Sequence, residues 1–427
     1  MKATLAPIAA LLVGTAFLIT GHGLQLTLVP LRAEAEGWTA LQIGALGSAY
    51  YVGFIAGCIL SPYLVLRAGH IRAFTAMVSL TAAAIIAHPL WVAFIPWLVF
   101  RLVIGASLAG LYLIIESWLN DSATNKTRGI VMSAYIMVNF SAITIGQLMV
   151  TLTPPTGFEL FAAATLVVVL AAIPVALTRS AQPAPVTLVR FRPLALYRSS
   201  PVGVVGVGLI GFANGAFWSL GAYSAVGTGL TAAGAATFMS IATAAGALSQ
   251  WPAGRISDRI DRRFVLIGLL LLAMLAGLAL AFLPLPQTGR FVLAFLLGCF
   301  MLPTYSIAAA HAYDHATPGS YVETAAGILL VNAVGAAIGP LLASPLMGQF
   351  GPTMLFLFTA IMQAILAAFA FSRIAKRPTP EGKTDFDLAA TAPVGAVIPP
   401  ELLDPKDPNI AIPEDEEARK DGPEGVA

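Results

Sequence analysis

The chain has 427 residues, of which 58% are hydrophobic and only 10% charged, with a mean hydropathy of +0.84, whereas an ordinary soluble domain carries roughly 25% charged residues. The net charge of +2 is unevenly spread: residues 1–375 hold 17 Lys/Arg against 9 Asp/Glu, and residues 376–427 hold 6 against 12. A soluble globular enzyme is excluded; the expectation is an all-α membrane protein with a basic body and an acidic tail.

A bilayer core of about 30 Å takes about 20 mostly apolar residues per helix. Apolar runs separated by polar punctuation predict six spans near 5–29, 42–66, 73–92, 96–119, 129–151 and 157–178. Lys2 and the first run resemble a secretory signal, but the run is too long for a signal core, so a retained first helix is expected. A polar, Pro-containing stretch follows, and six more spans are predicted near 201–225, 231–253, 263–284, 289–312, 322–345 and 352–374. The implied organisation is a first six-helix half over 1–180, a cytoplasmic linker over 181–200 and a second half over 201–375. Residues 376–427, rich in Pro and acids, form a tail that cannot bury a core.

Cytoplasmic loops retain Lys and Arg. With the N-terminus inside, the inner loops carry Arg67 and Arg72, Lys126 and Arg128, Arg179 to Arg198, Arg255 to Arg263, and Arg373 to Arg377. The outer loops carry only Arg32, offset by Glu34 and Glu36, and Arg290. Both termini are therefore expected in the cytoplasm.

The halves overlay at a shift of 192 or 193 residues, the mark of an internal repeat. At 192, Gly21-His22-Gly23 meets Ala213-Asn214-Gly215, Thr39 meets Thr231 and Ser48 meets Ser240. At 193, Gly105 meets Gly298, Tyr112 meets Tyr305, Asp121 meets Asp314, Val138-Asn139 meets Val331-Asn332 and Gly146 meets Gly339. Two pseudo-symmetric six-helix halves about the membrane normal place a substrate site between them near the midplane.

The eighth span ends in Gly254-Arg255-Ile256-Ser257-Asp258-Arg259-Ile260-Asp261-Arg262-Arg263. This resembles the cytoplasmic G-x-x-x-D-R-x-G-R-R signature of the major facilitator superfamily, with Asp261 where the family has Gly. A small Gly254 permits close helix approach, Asp258 accepts from neighbouring Arg, and the basic cluster suits an anionic inner leaflet. The expected role is a state-dependent latch formed by Gly254, Asp258, Arg259, Arg262 and Arg263, with Asp314 nearby. The matching first-half loop keeps Arg67, Gly69 and Arg72 but has Leu66 at the acidic position, so any latch there borrows its carboxylate; Glu116 and Asp121, close to Lys126 and Arg128, are the candidates, and a surface ion-pair network with no switching role is the equal alternative. A plain positive-inside loop explains the Arg residues but not the spaced Gly254 and Asp258.

Arg101, Gly105 and Gly110 resemble the superfamily's R-x-x-x-G signature, which the resemblance links to proton coupling. Arg101, Gly105, Leu108 and Tyr112 share one helical face, an expected cavity wall. Glu116 lies about 60° off that face and about 22 Å along the axis. An intramembrane charge costs at least about 2.5–3.5 kcal/mol and needs a partner or water; otherwise Arg101 snorkels outward. Arg101 and Glu116 are the proton-coupling candidates.

The segment Gly110 to Asp121, then Ala123-Thr124-Asn125 and Thr127-Arg128-Gly129, is similar to the YcaD-like branch of bacterial permeases. Arg32 to Gly37, Gly69 to Arg72 and Ala310 to Asp314 fit the same branch. The resemblance implies transport of a small solute, with helices one, four, seven and ten lining the cavity. On those helices His22 pairs with Gln25 at i, i+3 and Asn214 with Trp218 at i, i+4, while Tyr112 and Tyr305 face across the pseudo-two-fold. These six are the substrate-binding candidates. Asn139 and Asn332 are expected to hydrogen-bond between helices. Gly335, Gly339 and Pro340 resemble the family's G-x-x-x-G-P motif, in the eleventh rather than the fifth span, so an exporter assignment has no support.

Cys58 and Cys299 read as small buried hydrophobes, and His311, Tyr313, Asp314 and His315 as a gate or loop cap rather than a metal site. No phosphate-binding G-x-x-x-x-G-K-[ST] motif occurs. The expectation is no cofactor, no enzyme chemistry and no nucleic acid, but a small-molecule substrate, a proton as coupling ion, a lipid environment and a monomer. The rival reading is a transporter-fold sensor or assembly factor that binds a ligand without moving it.

Overall fold

The computed structural model describes residues 8–124, 127–178, 193–316 and 321–374. Lys126, most of the linker and the tail beyond 374 lie outside them, as does the side chain of Arg128.

Among the described residues, twelve helices are long and apolar enough to cross a membrane: α1 Ala9–Ala35, α2 Ala40–Ala68, α3 His70–Leu90, α4 Phe94–Ser122, α5 Gly129–Thr151, α6 Glu159–Ala176, α7 Pro201–Gly227, α8 Ala232–Arg259, α9 Arg262–Phe282, α10 Gln287–Tyr313, α11 Glu323–Phe350 and α12 Met354–Ile374. A short helix, Pro193–Ser199, falls in the stretch read as linker. Several spans outrun their apolar windows, because a helix continues into the headgroup zone while its backbone bonds persist. Arg32, beyond the first apolar run, is still helical and holds Glu36 at 2.7 Å. Proline punctuates the spans; α10 breaks at Leu302, just before Pro303, where the missing N–H interrupts the ladder.

The repeat is physical as well as sequential. Thr39 caps α2, accepting from Gln42 N at 3.3 Å, and its equivalent Thr231 caps α8, accepting from Gly234 N at 3.1 Å. Gly105 of α4 packs on the Tyr50 carbonyl of α2, and its equivalent Gly298 of α10 packs on Ala242 of α8; neither site has room for a Cβ. Gly146 of α5 against Thr20 of α1 is matched by Gly339 of α11 against Phe212 of α7. Close backbone approach at small residues is how helices associate where lipid removes the usual hydrophobic drive.

The C-terminal ends of α8, α10 and α12 are joined at one end of the bundle through Arg262–Asp314 and Arg263–Arg373, here called the basic end, and the α2–α3 turn meets the end of α4 through His70 and Trp118. Between the first and last six helices, close contacts lie toward the opposite end. Gly44 of α2 meets Pro340 and Ser344 of α11, Gly47 meets Ser219 of α7, and Thr243 of α8 donates to Gln147 Oε1 of α5 at 2.9 Å. Outward-facing Leu60, Ile95, Met137, Leu166 and Leu248 are exposed, a burial pattern suited to lipid rather than water.

Candidate functional site

Arg101 sits one to two turns into α4 and is 4% exposed. Its guanidinium carbon lies 4.7 Å from the ring centroid of Tyr50 on α2, and Tyr50 stacks on His22 of α1 at 5.5 Å. Neither Nε nor Nη1 of Arg101 has a hydrogen-bond partner among the described residues. The charge neither snorkels nor pairs with a carboxylate; it rests on an aromatic face, a contact worth about 2 kcal/mol when desolvated.

The Arg101 face differs from the expected cavity wall. Gly105 packs on the Tyr50 carbonyl, Leu108 is buried, and the Tyr112 ring lies 6.5 Å from Phe54 of α2. The face turns into the α2–α4 packing of the first six helices. His22 and Gln25 are buried in the same bundle, and His22 Nδ1 and both Gln25 amide atoms have no partner among the described residues.

Glu116, expected at the inner turn, is fully buried and accepts from Tyr135 Oη of α5 at 3.0 Å. Tyr112, one turn away, and Tyr305 of α10 both lie within electrostatic reach of the carboxylate. The two phenols related by the repeat thus both feel the charge of one acid. Tyr135 escapes sequence reasoning; only its i, i+4 relation to Asn139 marks it. Asn139 donates to the Tyr135 carbonyl of its own helix at 3.0 Å instead of bridging helices, whereas Asn332 does bridge, donating to Val207 O of α7 at 2.9 Å.

In the second half, Asn214 lines a small pocket with Thr304 of α10 and Gln363 of α12. Trp218 packs edge-on to Phe217 at 5.4 Å and does not line that pocket.

At the basic end the second-half cluster is closed. Arg262 is buried, with Nε donating to Asp314 Oδ2 at 2.7 Å and Nη1 to Ser257 Oγ at 2.9 Å, while Asp258 Oδ1 lies 3.2 Å from Nη1. Ser257 Oγ in turn donates to the Gly254 carbonyl. Asp261, the departure from the signature, caps α9: Oδ1 accepts from Arg263 N at 2.9 Å, and the carboxylate holds the Arg263 guanidinium at 2.7 Å. Arg263 also donates to the Arg373 carbonyl, so α8, α9, α10 and α12 are tied together. Arg259 is exposed.

The first-half loop is open by comparison. Arg67, Arg72 and Asp121 are exposed, and Gly69 makes the α2–α3 turn at φ 79°, a conformation that favours glycine. The His70 ring lies 6.4 Å from Trp118, and Asp121 lies within electrostatic reach of His70. At the inner end of α10 the His311 and His315 rings are 4.5 Å apart, and His315 Nδ1 lies 2.9 Å from the His311 carbonyl.

The profile of the Major Facilitator Superfamily matches residues 11–331. An uncharacterized MFS-type transporter of Enterobacter sp. (strain 638) is 27% identical over 376 residues, covering 88% of this chain and 97% of that one. The uncharacterized MFS-type transporter YcaD of Escherichia coli O7:K1 matches with the same identity and coverage. Among solved structures, a point mutant of the nucleoside transporter NupG superposes with a TM-score of 0.76 at 11% identity, over 86% of this chain and 99% of that one. A bacterial homologue of the lysosomal transporter Spinster superposes at 0.73 with 17% identity, over 89% and 99%.

Proposed function

Because the chain belongs to the Major Facilitator Superfamily, a family of multi-pass membrane transporters, we propose that it carries a small organic solute across a bacterial inner membrane by alternating access, driven by a proton gradient. The two moving bodies are the halves 1–180 and 201–375.

The observation that carries this reading is where the halves touch. Gly44–Ser344, Gly47–Ser219 and Gln147–Thr243 join them toward one end, while the charged turns sit at the other. The positive-inside rule assigns the basic end to the cytoplasm, so this seam closes the outer end. Glycines at the seam let backbones meet without interlocking side chains, which suits an interface that must part and re-form.

Arg101 and Glu116 serve as the coupling pair at a distance, one beside each end of α4. The cost of burying Arg101 exceeds what Tyr50 returns, and that imbalance gives the transport cycle a charge to compensate. His22, Gln25, Tyr112, Asn214, Trp218 and Tyr305 are the substrate candidates. The Arg262–Asp314–Asp258 cluster acts as the cytoplasmic latch together with Gly254, Arg259 and Arg263, and Arg67, Gly69, Arg72, Asp121 and Arg128 form its first-half counterpart.

Purified protein in liposomes, bathed in cell extract and subjected to an imposed pH gradient, tests the reading. A solute should accumulate with wild type and fail to accumulate with Arg101→Ala. Equal accumulation by both sinks the coupling role, and ligand binding without flux favours the sensor.

A further inference from the structure

Arg101 is buried with no opposite charge beside it. The groups within electrostatic reach of its guanidinium are His22, His88, Tyr50 and Tyr51, none of them an acid. Its Nε and Nη1 have no hydrogen-bond partner among the described residues, and neither has His22 Nδ1. On its own helix Glu116 stands about 22 Å away along the axis. The other acids before residue 376 lie in turns or in the first or last turn of a helix.

Helix packing leaves this cluster between two helix pairs. α1 seats on α5 through Gly23 against Ile143 and Gly146 against Thr20, and α2 seats on α4 through Gly53 against Leu102 and Gly105 against Tyr50. The His22 and Tyr50 rings and the Arg101 guanidinium meet between those pairs. The second half borders the same place. Tyr51, its ring 5.1 Å from that of Tyr50, stands one turn inward of Gly47, and Gly47 meets Ser219 of α7. Gly47 and Tyr51 share one face of α2, so the outer seam between the halves runs along the edge of the cluster.

An intramembrane charge costs at least about 2.5–3.5 kcal/mol, and an aromatic face offsets about 2 kcal/mol of it. The remaining compensation has to come from outside the chain. One fixed positive charge calls for one negative charge. A dianion would carry an uncompensated charge into apolar surroundings, a cation would add to the imbalance, and a neutral solute would leave it in place. The Tyr50, Tyr51 and Phe54 rings around the site suit an ion with an organic body rather than a hydrated inorganic one.

We propose that the transported solute is a small organic monoanion, of carboxylate type, whose charged group docks on the Arg101 guanidinium between α1, α2 and α4. Parting of the Gly47–Ser219 seam opens this site to the outer side. Its meaning as cargo rests on the carrier reading above; binding at Arg101 does not.

The test divides a bacterial metabolite extract by ion exchange into anionic, neutral and cationic fractions. Each is titrated into the purified full-length protein in detergent, and thermal unfolding is read. The anionic fraction should raise the midpoint saturably by about 2–4 °C. The other two fractions, chloride alone and inorganic phosphate alone should not. Arg101→Gln should lose the shift and, freed of an uncompensated charge, should unfold without ligand at or above the wild-type midpoint. Arg101→Lys, which keeps the charge but not the planar fork, should be protected by the anionic fraction more weakly than wild type. The proposal is overturned if no fraction protects, if protection comes only from the neutral or cationic fraction, if chloride or phosphate alone reproduces it, or if Arg101→Gln is protected as well as wild type. A ligand-free Arg101→Gln midpoint well below wild type also overturns it, because the guanidinium would then serve the fold. Uptake of the same fractions by proteoliposomes separates the two readings. Anion binding without uptake rejects the carrier and leaves the site standing; uptake of neutral or cationic solutes alone keeps the carrier and rejects the anion site.

Discussion

Arg262 Nε and Asp314 Oδ2 meet at 2.7 Å with both side chains buried, joining the first residue of α9 to the turn after α10. Asp258, 28% exposed and 3.2 Å away, is the lesser partner of the same guanidinium. The signature at the end of α8 thus delivers its main charge contact outside itself, to a residue some fifty positions on.

Removing one member of a buried ion pair costs about 3–5 kcal/mol, and loss of an exposed one about 1 kcal/mol or less. Asp314→Ala should therefore lower the thermal midpoint well below that of Asp258→Asn in the same detergent. Equal losses would mean that the buried geometry confers no advantage.

Asp261→Gly restores the family's residue yet should destabilise, because it removes both the α9 cap and the Arg263 contact. A lost N-cap is worth about 1 kcal/mol. Asp261→Asn, which keeps the capping oxygen, should retain part of the difference; thermal unfolding of the three proteins decides it.

Tyr50→Phe keeps the ring beneath Arg101 and should preserve gradient-driven accumulation, while Tyr50→Leu removes the π face and should reduce it at matched membrane levels. If flux is unchanged in Tyr50→Leu, the aromatic support of the guanidinium is irrelevant to transport.

Gly47→Val places a branched side chain against Ser219 at the seam between the halves. It should shift the population toward the outward-open state without unfolding either half. The check is labelling of cysteines introduced at each cavity mouth in a background lacking Cys58 and Cys299: reactivity should rise at the outer mouth and fall at the inner. By contrast Gly105→Val, inside the first half against the Tyr50 carbonyl, should abolish folding.

The spans, the repeat and the basic end are readable in the sequence because they rest on length, composition and spacing, which the bilayer constrains strongly. The repeat is legible down to single atoms' tasks, with Thr39 and Thr231 capping equivalent helices and Gly105 and Gly298 seating equivalent crossings. Helix rotation is not readable. A span that is apolar all round gives periodicity no preferred face, so the Arg101 face reads as a cavity wall in the sequence and packs on α2 in the structure. Tyr135 escapes for a related reason: a single polar residue in an apolar run has no local pattern, and its importance emerges only when a second helix brings Glu116 to it. Asp261 is visible as a departure from the signature, but its capping role depends on the backbone turn between α8 and α9.

The most direct measurement is accumulation of solute from a bacterial metabolite extract by proteoliposomes under an imposed pH gradient, read by mass spectrometry for wild type and Arg101→Ala. A solute concentrated only by wild type, and only while the gradient lasts, is the predicted result. Failure to concentrate any solute under gradients of either sign, or accumulation by Arg101→Ala equal to wild type, would contradict a proton-driven carrier that depends on the buried guanidinium.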